Sequence, residues 1–247
     1  FEELGAVVNT IGSSPDGINI NQNCGSTSPE FLKDEITKGK YDIGIAFDGD
    51  GDRILIITSD GDILDGDDIL YILSQKLLKG SGVVGTLMTN KALENYFDEK
   101  NINFLRADVG DKYVLQQLVE KNWLLGGEPS GHIICLDSAP TGDAIIAALK
   151  FLNSIKENNF SIDQTLDNFK KFPQTLINLK VDNPNNIILS DQFWSEVTSI
   201  ETKLGDEGRV LIRPSGTEPL IRIMVESKDA NISENLCNSL AELALKL

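Results

Sequence analysis

The sequence predicts an α/β protein, with mixed or parallel sheets covered by helices in two units, followed by a small α+β C-terminal domain. Between residues 41 and 155, short apolar runs alternate with segments of helical character. This alternation is typical of parallel strands joined by helices that cover the sheet. After Pro173 the order changes, because apolar runs precede a last segment whose apolar residues recur every three or four positions, as on one face of a helix.

Composition excludes several classes of function. The 247 residues carry 22 Lys and Arg against 38 Asp and Glu, a net charge of −16. A nucleic-acid surface needs a basic face, so nucleic acid is excluded as a partner, and an anionic ligand needs local cations. No apolar run approaches the roughly 20 residues of a membrane span. Cys24, Cys135 and Cys237 are odd in number and widely spaced, which favours a reduced, cytoplasmic setting.

The apolar pattern and the turn residues predict the individual elements. Strands are expected at residues 6–11, 41–47, 54–57, 83–88, 104–107, 123–126, 133–136, 176–181, 209–213 and 220–226. Helices are expected from Pro29 with Ser28 as N-cap, and at residues 69–78, 91–100, 112–121, 143–155, 191–204 and 232–247. Polar breaks and the change of pattern predict three domains at residues 1–58, 59–172 and 173–247. The first residues include no initiator Met and no basic start, so the chain is expected to begin inside a larger protein.

The segment from Asp48 to Arg53, Asp-Gly-Asp-Gly-Asp-Arg, follows an apolar run and places a carboxylate at every second position. Three negative charges so close repel one another, and a divalent cation removes that penalty. Hard carboxylate oxygens suit Mg²⁺, and glycine permits the turns that bring the side chains together. The segment predicts a metal site formed by Asp48, Asp50 and Asp52; the alternative is a pair of Asp-Gly hairpin turns.

A second motif, Gly127-Glu128-Pro129-Ser130-Gly131-His132, lies between two predicted strands. In an extended backbone Glu128, Ser130 and His132 would face one ligand. Carboxylate, hydroxyl and imidazole groups suit sugar hydroxyls, and the single histidine of the chain exchanges protons near neutral pH. The alternative is an ordinary connecting turn with a surface histidine.

A third motif, Arg213-Pro214-Ser215-Gly216-Thr217-Glu218-Pro219, lies between two predicted strands, with Arg222 close behind it. Guanidinium forks, hydroxyls and the N–H groups of a Gly-containing turn are the components of a phosphate site. The alternative is a Pro-Gly turn with solvated arginines. A Walker A loop is excluded, because that loop ends in Gly-Lys-Ser/Thr before a helix.

These three motifs, in this order and at domain-sized separations, resemble those of the α-D-phosphohexomutase family. The resemblance covers essentially the whole chain. Further segments resemble the bacterial phosphoglucosamine mutase branch, namely residues 15–21, 24–27, 108–114 and 141–143. Pro129 departs from that branch, which usually carries Gln there.

The resemblance implies a reaction and a set of roles. The reaction is the interconversion of glucosamine 6-phosphate and glucosamine 1-phosphate through a phosphoserine, for UDP-N-acetylglucosamine synthesis. Asp48, Asp50 and Asp52 would hold Mg²⁺, and the catalytic side chains would be Arg53 and His132. The substrate-binding residues would be Lys112, Glu128, Ser130, Arg213, Ser215, Gly216, Thr217 and Arg222.

The family's serine segment, Thr/Ala-Ser-His-Asn-Pro, does not occur in the 247 residues. The chain is therefore expected to be a C-terminal portion whose partner is the N-terminal domain with the phosphoserine, and to be inactive alone. Two alternatives stay open. One is the same portion of a phosphomannomutase or phosphoglucomutase, and the other is a non-catalytic module that binds sugar phosphate or a cation.

Overall fold

A computed structural model describes residues 1–158, 162, 166, 169–215 and 218–247. The chain divides by its internal contacts into two compact units. The first unit comprises Phe1–Thr89 and Lys100–Asn168, and the second comprises Asn90–Glu99 and Phe169–Leu247. The predicted class is confirmed, because the first unit is α/β and the second is a small α+β unit.

The first sheet of the first unit is an antiparallel meander in the order β1–β2–β3. Its strands are β1 (Ile43–Phe47), β2 (Ile54–Thr58) and β3 (Ile63–Leu64). Every residue of β2 is buried, which explains its continuous apolar run. Helix α1 (Glu30–Lys38) packs on β1, where Ile36 lies over Gly44. The turn between β1 and β2 is therefore held at both of its ends by packed strands.

The second sheet of the first unit has the order β5–β4–β6–β7. Its strands are β4 (Gly82–Thr86), β5 (Asn103–Ala107), β6 (Leu125–Gly127) and β7 (Ile133–Cys135). Strands β5, β4 and β6 are parallel, and β7 is antiparallel to β6. The helices along this stretch are α2 (Gly66–Ser74), α3 (Lys91–Lys100), α4 (Asp111–Lys121) and α5 (Ala144–Asn158), of which α3, apart from Lys100, belongs to the second unit. The β6–β7 connection carries the predicted sugar-binding motif.

The start of α2 shows how the sequence sets a helix boundary. The Asp65 carboxylate accepts hydrogen bonds from the N–H groups of Asp67 and Asp68, and the Asp68 carboxylate accepts one from the N–H of Asp65. This reciprocal capping satisfies N–H groups that have no partner within the helix. The helix therefore begins at Gly66, three residues before the predicted bound at residue 69.

The second unit is an antiparallel sheet in the order β8–β10–β9 with helices on one face. Its elements are β8 (Gln174–Lys180), α6 (Pro184–Ile188), α7 (Asp191–Leu204), β9 (Gly208–Pro214), β10 (Leu220–Ser227) and α8 (Ala230–Ala244). Phe193 of α7 and Leu240 of α8 join the β10 residues Ile221, Ile223 and Val225 in one buried cluster. The turn between β9 and β10 carries the predicted phosphate-binding motif.

Two local predictions are wrong. Residues 6–11 form no strand, and Val7 is exposed, because an apolar run becomes a strand only where a neighbouring strand and a buried face receive it. Ser28 is not the N-cap of α1; Pro29 occupies that position, and the Ser28 hydroxyl donates to Glu30 instead, at 3.4 Å. In the described part of the chain, no helix is long and apolar enough to cross a membrane.

Candidate active site

The turn between β1 and β2 brings the three predicted metal ligands together. Asp48, Asp50 and Asp52 each offer a carboxylate oxygen, and these oxygens all lie within 4.8 Å of one another. The turn is closed by the N–H of Arg53, which donates to Asp48 Oδ1 at 3.0 Å, and by the N–H of Gly51, which donates to the Asp48 carbonyl at 3.3 Å. Gly51 has φ +73°, a left-handed conformation that glycine adopts without steric cost.

The electrostatics of this turn differ from one carboxylate to the next. Burial raises the pKa of Asp52, and the neighbouring Asp48 carboxylate raises it further. Burial acts in the same direction on Asp48, but the hydrogen bond from the Arg53 N–H and the nearby Arg53 charge help to outweigh it, so the pKa of Asp48 lies below its usual value. The Arg53 Nε lies 3.7 Å from Asp48 Oδ2, with nearly half of the Arg53 side chain exposed. Arg53 thus partly balances the cluster and still faces solvent.

His132 connects the acidic turn to the sugar-binding motif. Its side chain is only 3% exposed, and its Nδ1 lies 3.0 Å from Asp52 Oδ2. The backbone adds to this contact, because Arg53 and His132 form an antiparallel bridge and the N–H of Ile54 donates to the Gly131 carbonyl at 3.1 Å. Two motifs separated by about eighty residues in sequence therefore form one structure.

The acidic turn has a second attachment, to the start of α5. The N–H of Ala144 donates to the Gly51 carbonyl at 3.0 Å. Gly142, two residues earlier, lies against the His132 imidazole so closely that a Cβ at this position would collide with Nε2. The sequence marks residues 141–143 by their resemblance to the family, but it gives no sign that they pack against His132 and the acidic turn.

The predicted sugar-binding motif is a tight turn rather than the extended segment in which its alternating side chains would face one ligand. The N–H of Gly131 donates to the Glu128 carbonyl at 3.0 Å, and Gly131 has φ +92°. The three predicted side chains therefore point differently: Ser130 is exposed, His132 is buried, and Glu128 Oε1 accepts a hydrogen bond from the N–H of Gly110 at 2.9 Å. The alternative with a surface histidine is also wrong.

Lys112 lies in the first turn of α4, which follows Gly110. Its ammonium group lies 4.6 Å from the centre of the Tyr113 ring, and both residues are exposed. Because the Gly110 N–H holds Glu128, the structure brings the start of α4 to the sugar-binding turn. Gly110 was not among the predicted site residues, although it lies in the segment 108–114 that resembles the family; its φ is +131°.

The predicted phosphate-binding motif joins β9 to β10 in the second unit. The N–H of Ser215 donates to the Leu220 carbonyl at 2.9 Å, and the Ser215 hydroxyl accepts from the N–H of Glu218 at 3.3 Å. Arg213 and Arg222 are direct cross-strand partners. The Arg222 Nε is buried without a hydrogen-bond partner among the described residues. Gly216 and Thr217 lie outside the described residues.

The donor set of the acidic turn fits a hard divalent cation. All three side chains are carboxylates, the type of ligand that Mg²⁺ prefers. Asp52 Oδ1 is buried and accepts no hydrogen bond within the described structure, although a buried carboxylate oxygen normally has a partner. A cation bound between the three aspartates would provide that partner.

Comparison with known proteins identifies relatives along the whole chain. The family profile for "Phosphoglucomutase/phosphomannomutase, alpha/beta/alpha domain III" matches residues 65–172, and the profile for the C-terminal domain of the same family matches residues 176–243. Phosphoglucosamine mutase of Legionella pneumophila (strain Corby) is 46% identical over the full chain, and that of Acinetobacter baumannii (strain AYE) is 47% identical over 98% of it. The chain spans about half the length of these relatives, 56% and 54%.

Solved structures show the same fold. The N-acetylphosphoglucosamine mutase of Aspergillus fumigatus, crystallised with GlcNAc-6P and magnesium, aligns with a TM-score of 0.73 at 19% identity over 91% of this chain and 57% of its own. A phosphoglucomutase/phosphomannomutase family protein of Burkholderia thailandensis aligns with a TM-score of 0.73 at 24% identity, over 90% of this chain and 50% of its own.

Proposed function

Because the chain belongs to the phosphoglucomutase/phosphomannomutase family, we propose that it forms the metal-, sugar- and phosphate-binding part of a phosphoglucosamine mutase. The reaction is the interconversion of glucosamine 6-phosphate and glucosamine 1-phosphate, a step towards UDP-N-acetylglucosamine. One observation carries the proposal: the acidic turn and the sugar-binding turn are joined through Asp52, Arg53 and His132. A metal site built directly onto a polar turn suits the transfer of a phosphoryl group to a sugar hydroxyl.

In this proposal Asp48, Asp50 and Asp52 hold Mg²⁺. The bound ion offsets negative charge on the phosphoryl group during transfer. Arg53 supports the same charge from the protein, because its guanidinium group lies beside the aspartates and nearly half of its side chain is exposed. A phosphoryl oxygen can reach the Arg53 guanidinium group without any rearrangement of the turn.

His132 acts on the reaction through Asp52. Direct proton transfer would need a ring nitrogen in contact with the sugar, but Nδ1 is engaged with Asp52 and Nε2 is buried against Gly142. A buried imidazole with one nitrogen bonded to a carboxylate fixes the orientation of that carboxylate. We therefore place His132 as a positioning residue for the metal ligand, which modifies the role predicted from sequence.

The proposed substrate contacts fall into two groups of residues. Glu128 and Ser130 bind sugar hydroxyls from the turn, and Lys112 contributes a cation from the neighbouring start of α4. The phosphate that is not transferred is bound by Arg213, Ser215, Gly216, Thr217 and Arg222. The unpartnered Nε of Arg222 supports this role, since a guanidinium group donates to phosphate oxygens in a fixed fork.

The phosphoryl group is carried by a serine outside these 247 residues, so the chain alone is inactive. In support, the chain spans about half the length of its curated relatives, and three carboxylates leave coordination positions of Mg²⁺ for further ligands. Purified chain should give no turnover of glucosamine 1-phosphate in a coupled assay. Turnover that persists after removal of every contaminating mutase would overturn this part of the proposal.

The substrate preference is tested with the product of the complete gene. Initial rates with glucosamine, mannose and glucose phosphates at equal concentration should favour the glucosamine phosphates. A preference for mannose or glucose phosphate would assign the chain to a phosphomannomutase or phosphoglucomutase instead. A complete gene without the serine segment would favour the non-catalytic binding module.

The metal site is tested on the chain itself by isothermal titration with Mg²⁺. Asp50→Asn should weaken the affinity at least tenfold, because it removes one of three charged ligands. The matched control is Asp60→Asn, which removes the same charge from an exposed turn of the same unit. Equal affinities of the two variants would show that the acidic turn is not the metal site.

A further inference from the structure

The second unit carries a row of polar residues across one face of its sheet. Cross-strand pairing places Asn178 of β8 opposite Arg222 of β10, and Arg222 opposite Arg213 of β9. Residues directly opposite each other in an antiparallel sheet point to the same side, with Cβ atoms about 5 Å apart. Lys180, two residues after Asn178, lies on that side as well. The other face of the sheet is apolar and packs against α7 and α8.

The cations on this face differ in how they are balanced. Arg209 is neutralised by Glu226, with Arg209 Nε 2.7 Å from Glu226 Oε2. Lys180, Arg213 and Arg222 have no ion pair among the described residues, and the Arg222 Nε has no hydrogen-bond partner there. Three unbalanced cations on one face of a protein with net charge −16 produce a local positive field, which attracts an anion.

Lys180 lies beside the phosphate-binding turn. It pairs across the strands with Leu220, the first residue of β10 after the turn, and the N–H of Val181 donates to the Pro219 carbonyl at 3.1 Å. The Lys180 side chain is exposed, so its ammonium group is free to move towards a ligand bound at the turn.

We infer that Lys180 is a further phosphate-binding residue, which extends the site of Arg213 and Arg222 onto β8, and that Asn178 beside Arg222 keeps that guanidinium charge available. A phosphate monoester carries a charge of about −1.5 to −2 near neutral pH. Two arginines and a lysine carry more positive charge than is needed to neutralise the phosphate. The surplus offsets the repulsion that a protein of net charge −16 exerts on an anion. This inference rests on the proposed function, because it names a further contact of the same phosphate site.

The first test measures the KM of the complete gene product for glucosamine 6-phosphate. Lys180→Ala should raise KM about tenfold, since a charge-assisted hydrogen bond is lost, and should leave kcat within about twofold, because the bound phosphate is not the one transferred. Lys180→Arg should retain most of the affinity. The matched control is Lys203→Ala, which removes the same charge from α7, on the apolar side of the sheet, and should leave KM unchanged.

A second variant tests the row without removing a cation. Asn178→Asp places a carboxylate opposite Arg222 and should raise KM at least as much as Lys180→Ala, because it pairs with the guanidinium group that would bind phosphate. Asn178→Ala should change KM less. The same order of affinities is expected for inorganic phosphate titrated calorimetrically into the 247-residue chain, with a urea unfolding curve for each variant to separate lost binding from lost folding.

Arg213→Ala separates failure of this inference from failure of the proposed function. If Arg213→Ala raises KM and Lys180→Ala does not, the phosphate site stands and the inference is wrong. If Lys203→Ala raises KM as much as Lys180→Ala, the effect is one of net charge and the inference is also wrong. If neither Arg213→Ala nor Lys180→Ala changes KM or phosphate affinity, the turn is not a phosphate site, and the proposed function fails together with the inference.

Discussion

Replacing Glu226 by Gln should destabilise the second unit by about 3–5 kcal/mol, the usual cost of removing one partner of a buried ion pair. Glu226 is fully buried, and its Oε2 accepts hydrogen bonds from Arg209 Nε at 2.7 Å and from the N–H of Lys91 at 3.0 Å. Its Oε1 accepts another from Arg209 at 3.2 Å. The substitution removes the charge while the Arg209 guanidinium group stays largely buried, with 14% of its side chain exposed.

The chain provides an exposed pair of the same chemistry as a control. Lys228 and Glu207 lie 3.1 Å apart, but their side chains are 57% and 69% exposed. Exposed ion pairs contribute about 0–1 kcal/mol, because water and side-chain entropy offset the attraction. Glu207→Gln should therefore change the free energy of unfolding by less than 1 kcal/mol, a difference of several-fold from Glu226→Gln.

Urea unfolding followed by tryptophan fluorescence measures both variants. The chain has two tryptophans, and Trp194 lies in the second unit, so a Trp123→Phe background leaves Trp194 as the reporter of that unit. With a slope of about 2 kcal/mol per molar urea, a loss of 3–5 kcal/mol lowers the midpoint by about 1.5–2.5 M. In a double-mutant cycle, Arg209→Met combined with Glu226→Gln should cost less than the sum of the two single substitutions, because the two side chains act as one pair. Equal midpoints for Glu226→Gln and Glu207→Gln would refute the reasoning.

Two further predictions concern the first unit and the cysteines. Gly131→Ala should lower the free energy of unfolding by clearly more than the roughly 1–2 kcal/mol that a left-handed alanine costs, because its Cβ would collide with the Ile54 carbonyl. The control is Gly80→Ala, which should cost only that strain, since Gly80 has φ +87° and nothing lies within 4 Å of the added Cβ. Similar urea midpoints for the two variants would contradict the prediction. With a disulfide reagent at pH 8, Cys24 should react first. Burial raises the pKa values of Cys135 and Cys237 to about 11, and the thiolate is the reactive form. Equal reaction rates of all three cysteines in the folded protein would show that burial does not protect Cys135 and Cys237.

Much of the fold was predictable because local pattern and tertiary environment agree. Helices at residues 91–100 and 191–204 have the predicted bounds, since amphipathic spacing and boundary residues act together there. The segment at residues 6–11 shows the limit of this reasoning. Its apolar residues suit a strand, but strand formation depends on a partner that lies elsewhere in the chain, and no local pattern contains that information.

The site was predictable in its parts and less so in its arrangement. The three aspartates were identified from their spacing and do converge within 4.8 Å, because the turn is short and glycine allows it to close. The orientation of the sugar-binding turn was mispredicted, because the alternation argument requires an extended backbone and Gly131 adopts φ +92° instead. The three-part domain division and the individual residue roles stay predictions.

The contact between Asp52 and His132 helps to hold the acidic turn in its observed conformation. An isolated cluster of aspartates repels itself and would open unless a cation were bound. Here the Gly51 carbonyl is held by the start of α5, Arg53 is bridged to His132, and the Asp52 carboxylate is held by the imidazole. Each of these bonds comes from the fold itself. The free-energy cost of ordering the carboxylates is therefore met when the chain folds and not when a metal ion binds. Preorganised ligands lose little freedom when an ion binds, and for that reason we expect changes in the turn around His132 to weaken the affinity of the proposed metal site as well.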